Sequence, residues 1–393
     1  MHTKKVYILL IIFLIILLLT GCSKTSIKKT TTQNEPNKLN ESYEFSQLLF
    51  GHLTADAKFY SLGSQYCWIA LENLSPSPYT DLLLTNDGGK SWTLATIKDM
   101  QISSMQFINS ENGWAVGYNR TPDKINDYII STTDGGKTWS NLLKIEVSNN
   151  FPAPQIQFLN TNDGFILING KISKTTNGGQ SWEPLNSISN PKSFDFINST
   201  EGWATTLDSI VSTIDGGKTW VKEWTIPSDI KEKLRPVISK IIAEPALGYW
   251  ATFSGESTSS QSGKIILHKD TSNQWTIESG CYLGRFFPGK AALSDQGDLA
   301  PTSTSSALWI GFEYTKYPYI IFKTNDDGKT WSQIINGRPN GFPNTPNSTL
   351  IRMYFANNQL GWGIYKTKDT ITILKSENGG LEWQTSKQIM KAS

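Results

Sequence analysis

The stretch Thr132-Thr133-Asp134-Gly135-Gly136-Lys137-Thr138-Trp139 decides the fold of this chain, because it recurs. Close copies stand at Thr85–Trp92 (TNDGGKSW), Thr175–Trp182 (TTNGGQSW), Thr213–Trp220 (TIDGGKTW), Thr324–Trp331 (TNDDGKTW) and Ser376–Trp383 (SENGGLEW). A worn seventh copy is His268–Trp275 (HKDTSNQW), which makes the closing tryptophans 47, 43, 38, 55, 56 and 52 residues apart. A repeat of that length, kept along the chain, is the signature of four-stranded units arranged in a ring.

Each copy lies between two β-rich runs, so it must turn a hairpin. Paired glycines supply the positive φ that a tight turn between twisted strands needs. The aspartate or asparagine accepts hydrogen bonds from backbone N–H groups that the strands no longer serve. The tryptophan opens the next strand. Burying 150–250 Å² at about 25 cal/mol/Å² stabilises by roughly 4–6 kcal/mol before entropy, so these residues are expected to be a principal adhesive between units. The turn residues concerned are Asp87, Trp92, Asp134, Trp139, Asn177, Trp182, Asp215, Trp220, Asp326, Trp331, Asn378 and Trp383. Asp87, Asp134 and Asp215 could instead ligate a metal or a glycan. Function rarely needs seven equal copies, whereas ring geometry does, so the hairpin role is preferred.

A second motif precedes each turn. Gly113-Trp114-Ala115-Val116-Gly117 is its clearest form, repeated at Gly164-Phe165, Gly202-Trp203, Gly248-Tyr249-Trp250 and Gly361-Trp362, and more loosely at Tyr66-Cys67-Trp68 and Ala307-Leu308-Trp309. Upstream again are alternating runs such as Met105-Gln106-Phe107, Ile156-Gln157-Phe158 and Phe194-Asp195-Phe196, which read as strands. Each unit is therefore strand A, strand B with the Gly-Trp start, strand C, the aspartate turn and strand D. The expected fold is all-β, a seven-bladed β-propeller of four-stranded antiparallel blades at about 51–97, 101–147, 153–187, 191–226, 235–278, 290–335 and 348–390.

The turns resemble the Asp-box, or BNR, repeat of sialidase-like propellers. The longer pattern of phenylalanine strand, Gly-Trp-Ala-Val-Gly and Thr-x-Asp-Gly-Gly-Lys-Thr-Trp is similar to that of the photosystem II stability/assembly-factor family, from about residue 50 to the end. That resemblance implies a seven-bladed, non-enzymatic propeller that binds or scaffolds a protein or peptide partner through an arginine-bearing surface. It does not imply a photosynthetic role, since relatives in non-photosynthetic bacteria share the pattern.

Residues 1–22 read as a lipoprotein signal. Lys4 and Lys5 precede an apolar run, Val6–Leu19, of secretory rather than membrane-spanning length. The run ends Leu19-Thr20-Gly21-Cys22, resembling a lipobox, so Cys22 is the expected lipidation site. Two acyl chains there give stable anchoring. Residues 23–45 are poor in apolar side chains and are expected to form a flexible linker. The domain, 46–393, opens with Tyr43–Phe50 (YEFSQLLF) at its edge, which could lie against the ring or help close it. The expected location is extracytoplasmic, on the bacterial cell membrane, and the expected state is a monomer.

Removing residues 1–22 takes away two lysines and no acids, leaving the 34 acidic side chains matched by as many basic ones. That balance argues against nucleic-acid binding, where a basic face supplies most of the affinity. Cys67 and Cys281 stand in separate parts of the ring, so a disulfide is not favoured. No cofactor or metal is expected, since no His/Cys cluster, phosphate loop or serine elbow is present.

Arginine is rare. Arg120, Arg235, Arg285 and Arg338 fall in stretches read as long loops on one face, with Arg352 in the innermost strand of the last blade. Together with Phe286 and Phe342 they form the candidate binding face, suited to a carboxylate-bearing partner with apolar anchors. The alternative is an Asp-box glycan-binding or glycoside-hydrolase propeller, sialidase- or xyloglucanase-like. A sialidase needs an early Phe/Tyr-Arg-Ile-Pro segment, and no arginine here precedes Arg120. A paired-acid mechanism would have to draw on Asp123, Asp127, Asp295 or Asp298.

Overall fold

A computed structural model describes residues 53–390, apart from 74–77, 122–123, 146–153, 186, 256–262, 283–284, 287–296, 312–319, 337–339, 342–348 and 368. The signal, the linker and Tyr43–Phe50 lie outside the described residues.

The chain forms seven antiparallel sheets, each of sequential strands, and one carries a fifth strand. The chain is thus a seven-bladed β-propeller. Its innermost strands, A, are Leu53–Leu62, Gln101–Phe107, Gln155–Phe158, Ser193–Phe196, Pro236–Glu244, Gly297–Pro301 and Thr349–Phe355. Blade boundaries follow the sequence reading to within a few residues, with three exceptions. The stretch around Arg120, read as a loop, belongs to the long hairpin Gly113–Thr121/Lys124–Thr132. Pro227–Pro236 holds a short helix, Ser228–Leu234, whose Leu234 is buried between blades four and five. Strand D of blade five runs to Tyr282 and pairs with Arg285–Phe286 as the fifth strand, which delays blade six to Gly297.

The aspartate turns share one geometry. Asp134 Oδ1 accepts from the Thr138 N–H (2.9 Å) and the Thr132 hydroxyl (2.8 Å), Oδ2 accepts from the Thr138 hydroxyl (2.6 Å), and Thr132 Oγ1 accepts from Gly136 N–H (2.9 Å). Asp87, Asp215 and Asp326 repeat it with distances alike to 0.1 Å. At the worn copy His268 replaces the threonine, and Asp270 still accepts from the Gln274 N–H at 3.0 Å.

The two motifs are coupled by sterics. Gly113 pairs across the strands with Phe107, and a Cβ there would come within 2.5 Å of the Phe107 ring. Gly202 faces Phe196 and Gly361 faces Phe355 at similarly prohibitive distances. In blade one Ser61 stands where the phenylalanine would be, and Cys67 therefore takes the glycine position.

Adhesion between blades departs from expectation. The aromatic ring of strand B, not the turn tryptophan, lies flat on the next blade. Trp68 stacks on Phe107 (3.9 Å between centroids, 9°), Trp114 on Phe158 (3.8 Å, 10°) and Phe165 on Phe196 (3.6 Å, 2°). Turn tryptophans 139, 182 and 220 meet the same phenylalanines edge-on from within their own blade, each at 5.9 Å. Trp68 and Trp114 also donate to carbonyls of the next blade's turn, Gly135 O (2.8 Å) and Gly178 O (3.0 Å). The turn tryptophans mostly serve their own turn, as Trp139 does in donating to Gly136 O at 3.1 Å.

Among the described residues no strand is exchanged between the first and last blades. The ring closes by side-chain packing. Trp362 of blade seven meets Trp92 of blade one edge-on at 5.5 Å, and Tyr354 stacks on Phe59 at 5.9 Å. Here the tryptophan's bond to its own turn is relayed across the junction: Trp92 Nε1 donates to Ser386 Oγ (2.9 Å), which donates to Gly89 O (2.5 Å).

Candidate functional site

Two surfaces can offer a site: the axial channel and the face that carries the B–C and D–A connections. Strand A of each blade places one side chain at the channel wall, paired with the strand-B residue that lies on the next blade. These are Tyr60, Gln106, Gln157, Asp195, Ile242, Ala300 and Tyr354. Strands A of neighbouring blades do not pair, so their facing amides and carbonyls need other partners. The glutamines provide them. Gln157 Nε2 donates to Phe196 O (3.1 Å) while its Oε1 accepts from Phe196 N–H (2.9 Å). Gln106 clamps Phe158 of blade three in the same way, donating to its carbonyl at 3.2 Å and accepting from its N–H.

Asp195 breaks that pattern. Its Oδ2 accepts from Ala243 N–H (3.0 Å) of blade five and its Oδ1 from Gln157 Nε2 (2.6 Å) of blade three. Burial pushes its carboxyl up to about 7 despite those bonds. Tyr60 and Tyr354, half-buried on blades one and seven, are raised by burial and by the negative charge of Glu244. One position earlier on the same face, Arg352 and Lys58 occupy equivalent places, both half-buried.

On the loop-rich face the largest described apolar exposure lies over blades four and five. Leu207 (44 % exposed), Val237 (38 %) and Ile238 (67 %) flank the Ser228–Leu234 helix. Arg235 caps that helix in the left-handed region (φ 46°), exposed, its N–H bonded to Lys231 O at 2.9 Å. The helix is moored by an ion pair from Lys231 to Asp208.

Of the sequence-derived arginines, Arg235 and Arg352 have described side chains, one beside the Ser228–Leu234 helix and one on blade seven. Arg120 lies in strand B of blade two rather than in a loop, and Arg285 and Phe286 form the fifth strand of blade five. Arg352 sits in strand A of blade seven, as expected. Arg338 and Phe342 lie outside the described residues, as do Cys22, Asp123 and Asp295. Asp127 is not a loop acid: it is 2 % exposed in strand C of blade two. Asp298 belongs to strand A of blade six.

Sequence reasoning missed the buried acids Glu72 and Asp81 at the loop-face end of blade one. Asp81 accepts from the Thr96 hydroxyl at 3.0 Å, and Glu72 from Tyr118 at 3.4 Å. An acid inside the apolar run YTDLLLT was the available signal. It also missed the exposed aliphatics, because Val237 and Ile238 look like ordinary strand residues until the bulge at the start of strand A turns them outward. On the opposite face, a groove of about 530 Å³ separates the turns of blades one and seven, lined by groups of both signs including Asp87, Lys90, Lys375 and Glu382. Among the described residues no group of His, Cys, Asp and Glu is arranged to hold a metal ion. Cys67 is a buried free thiol, raised by burial.

This architecture defines the class: an all-β, seven-bladed propeller joined by aromatic stacks. Among solved structures it is similar to YCF48, the photosystem II assembly factor, in a structure of "YCF48 bound to D1 peptide" (19 % identity, covering 83 % of this chain and 95 % of that one, TM-score 0.50). It is likewise similar to YCF48 from Cyanidioschyzon merolae (16 % identity, 82 % and 98 % covered, TM-score 0.50). A polysaccharide lyase, an ulvan lyase, aligns at 10 % identity over 72 % of this chain and 81 % of its own, with a TM-score of 0.46. No family model matches the chain. No curated protein matches it either.

Proposed function

We propose that this protein is a non-enzymatic propeller that binds a peptide or protein partner on its loop-rich face, held at the outer side of the cytoplasmic membrane by lipid on Cys22. The observation that carries the reading is the shared fold with a propeller solved with a peptide bound. The aliphatics Leu207, Val237 and Ile238, beside the exposed guanidinium of Arg235, supply the apolar anchors and directional donors such a partner requires. Asp81 and Glu72, held by Thr96 and Tyr118, are engaged in the structure rather than poised as an open catalytic pair.

The test is affinity capture from detergent-solubilised membranes of the source cell, with the wild-type chain and with the Val237→Asp/Ile238→Asp variant. A partner retained by wild type and lost by the folded variant supports the reading. Turnover of sialyl or β-glucan substrates that a loop-face acid substitution abolishes would replace it with the glycosidase alternative. Anchoring is tested separately: Cys22→Ser is expected to release the protein from the membrane and to abolish incorporation of labelled fatty acid.

A further inference from the structure

We propose that Glu223 is an ionic latch between blades four and five, which does the work of the glycine carbonyls that the worn turn of blade five lacks and which acid releases. In five other turns the tryptophan donates to the carbonyl of its own second glycine, as Trp182 does to Gly179 O (3.1 Å) and Trp331 to Gly328 O (2.8 Å). The strand-B residues Trp68 and Trp114 donate to the first-glycine carbonyl of the next blade's turn. The stretch Asp270–Trp275 contains no glycine. Trp275 instead donates to Glu223 Oε2 (2.7 Å), and Trp203 of blade four reaches both Glu223 oxygens at 3.2 Å. One carboxylate, on the outermost strand of blade four (Val221–Thr225), thus receives both indoles that glycine carbonyls serve elsewhere.

Lys269 of blade five completes the cluster. Its ammonium lies 2.9 Å from Glu223 Oε2 and 3.2 Å from Oε1, and it stands 5.0, 5.8 and 5.9 Å from the ring centres of Trp203, Trp275 and Tyr249. Indole and ammonium groups can only donate, and they cover both carboxyl oxygens, so a proton on either oxygen would meet another N–H. The geometry selects the ionised form. Burial raises the carboxyl, but the bonds from Lys269, Ser212 and Trp275 outweigh it and hold the group below its ordinary value. Of the other titratable groups nearby, Asp270 is engaged by its own turn through Ser272 and Gln274. Glu201 acts on Tyr249, and Lys222, next to Glu223 in the strand, acts on Asp208.

A carboxyl that titrates lower in the folded ring than in the unfolded chain contributes stability that is fully present above the ordinary carboxylate range. That stability is lost as pH falls through the folded value. Glycine carbonyls have no such dependence, so the latch gives this junction an acid response that the glycine-bearing turns do not draw from their tryptophans. The loop-face end of the same junction is fastened by buried Leu234 and by Ser239 Oγ on Thr205 Oγ1 (2.8 Å), which do not titrate. Acid therefore frees the aspartate-turn end first. With it goes the firm alignment of Leu207 on blade four with Val237 and Ile238 on blade five.

The experiment is urea unfolding of the full chain and of Glu223→Gln between about pH 3.5 and about pH 7.5. At neutral pH the variant, which sets an amide donor against the indoles, should raise the unfolding equilibrium constant on the order of tenfold to a hundredfold. That penalty should shrink about fivefold by about pH 3.5, because wild type is by then losing the contribution of the charge. Parallel pH profiles overturn the proposal. Should the variant fail to fold, the indole N–H resonances of wild type decide the matter, assigned with Trp203→Phe and Trp275→Phe. Both moving with one midpoint below about pH 4.3 supports the latch, and resonances that stay fixed or move with separate midpoints refute it.

Discussion

Replacing Gly113 by alanine isolates the contact on which two of the repeat's motifs depend. The new Cβ would stand 2.5 Å from Phe107 Cδ1 and 2.6 Å from Cε1, about an ångström inside ordinary contact. Phe107 cannot retreat. It is fully buried, stacked on Trp68 at 3.9 Å and met by the edge of Trp139 at 5.9 Å. Overpacking of a close-packed core costs about 1–3 kcal/mol, and with rings on both sides the upper half of that range is expected. Gly113 does not have positive φ, so the effect is steric and not conformational. Urea unfolding would report it as a fall in midpoint at unchanged slope. Phe107→Ala alone should cost about 3–5 kcal/mol, but adding Gly113→Ala to it should cost almost nothing, a coupling of about 2 kcal/mol in the double-mutant cycle. Blade one already carries the paired solution, with Ser61 opposite Cys67. A Gly113→Ala midpoint within about 0.5 kcal/mol of wild type, or additive losses in the cycle, would refute the reasoning.

Ser386→Ala should destabilise by about 1–2 kcal/mol, since it strands the buried Trp92 N–H at the only junction closed by a relay among the described turns; thermal unfolding checks this. Asp134→Ala should lower stability by about 1–3 kcal/mol, whereas Asp134→Asn should be mild, because Asn177 accepts from Thr175 (2.9 Å) and Ser181 N–H (3.0 Å) in an equivalent turn. Comparing the two melts decides whether acceptor geometry or charge matters. Bonds from the Thr219 hydroxyl and N–H hold the Asp215 carboxyl down to about 2, so its contribution is present above the ordinary carboxylate range and is lost as pH falls through about 2. Asp215→Asn should flatten that part of the acid-unfolding profile; an unchanged slope would deny the turn its electrostatic part.

Residue order alone determined the number of blades, the strand sequence within each and the chemistry of the turns, because those depend on neighbours a few positions apart. Asp134 reaches Thr138, and Gly135 and Gly136 take positive φ, within a single hairpin. The anomalies were legible too, as with Cys67 where glycine is the rule. What the tertiary structure decided involves partners a blade or more apart. Only in the ring does Trp68 lie on Phe107, Ser386 stand between Trp92 and Gly89, and Asp195 reach Ala243. The candidate face divides in the same way. Arginines could be counted in the sequence, but Arg120 and Arg285 proved to be strand residues, and the outward turn of Val237 and Ile238 depended on a bulge. Local pattern specifies a blade because its hydrogen bonds close within it. Surfaces and junctions answer to blades distant in sequence, whose distance and direction no local pattern records.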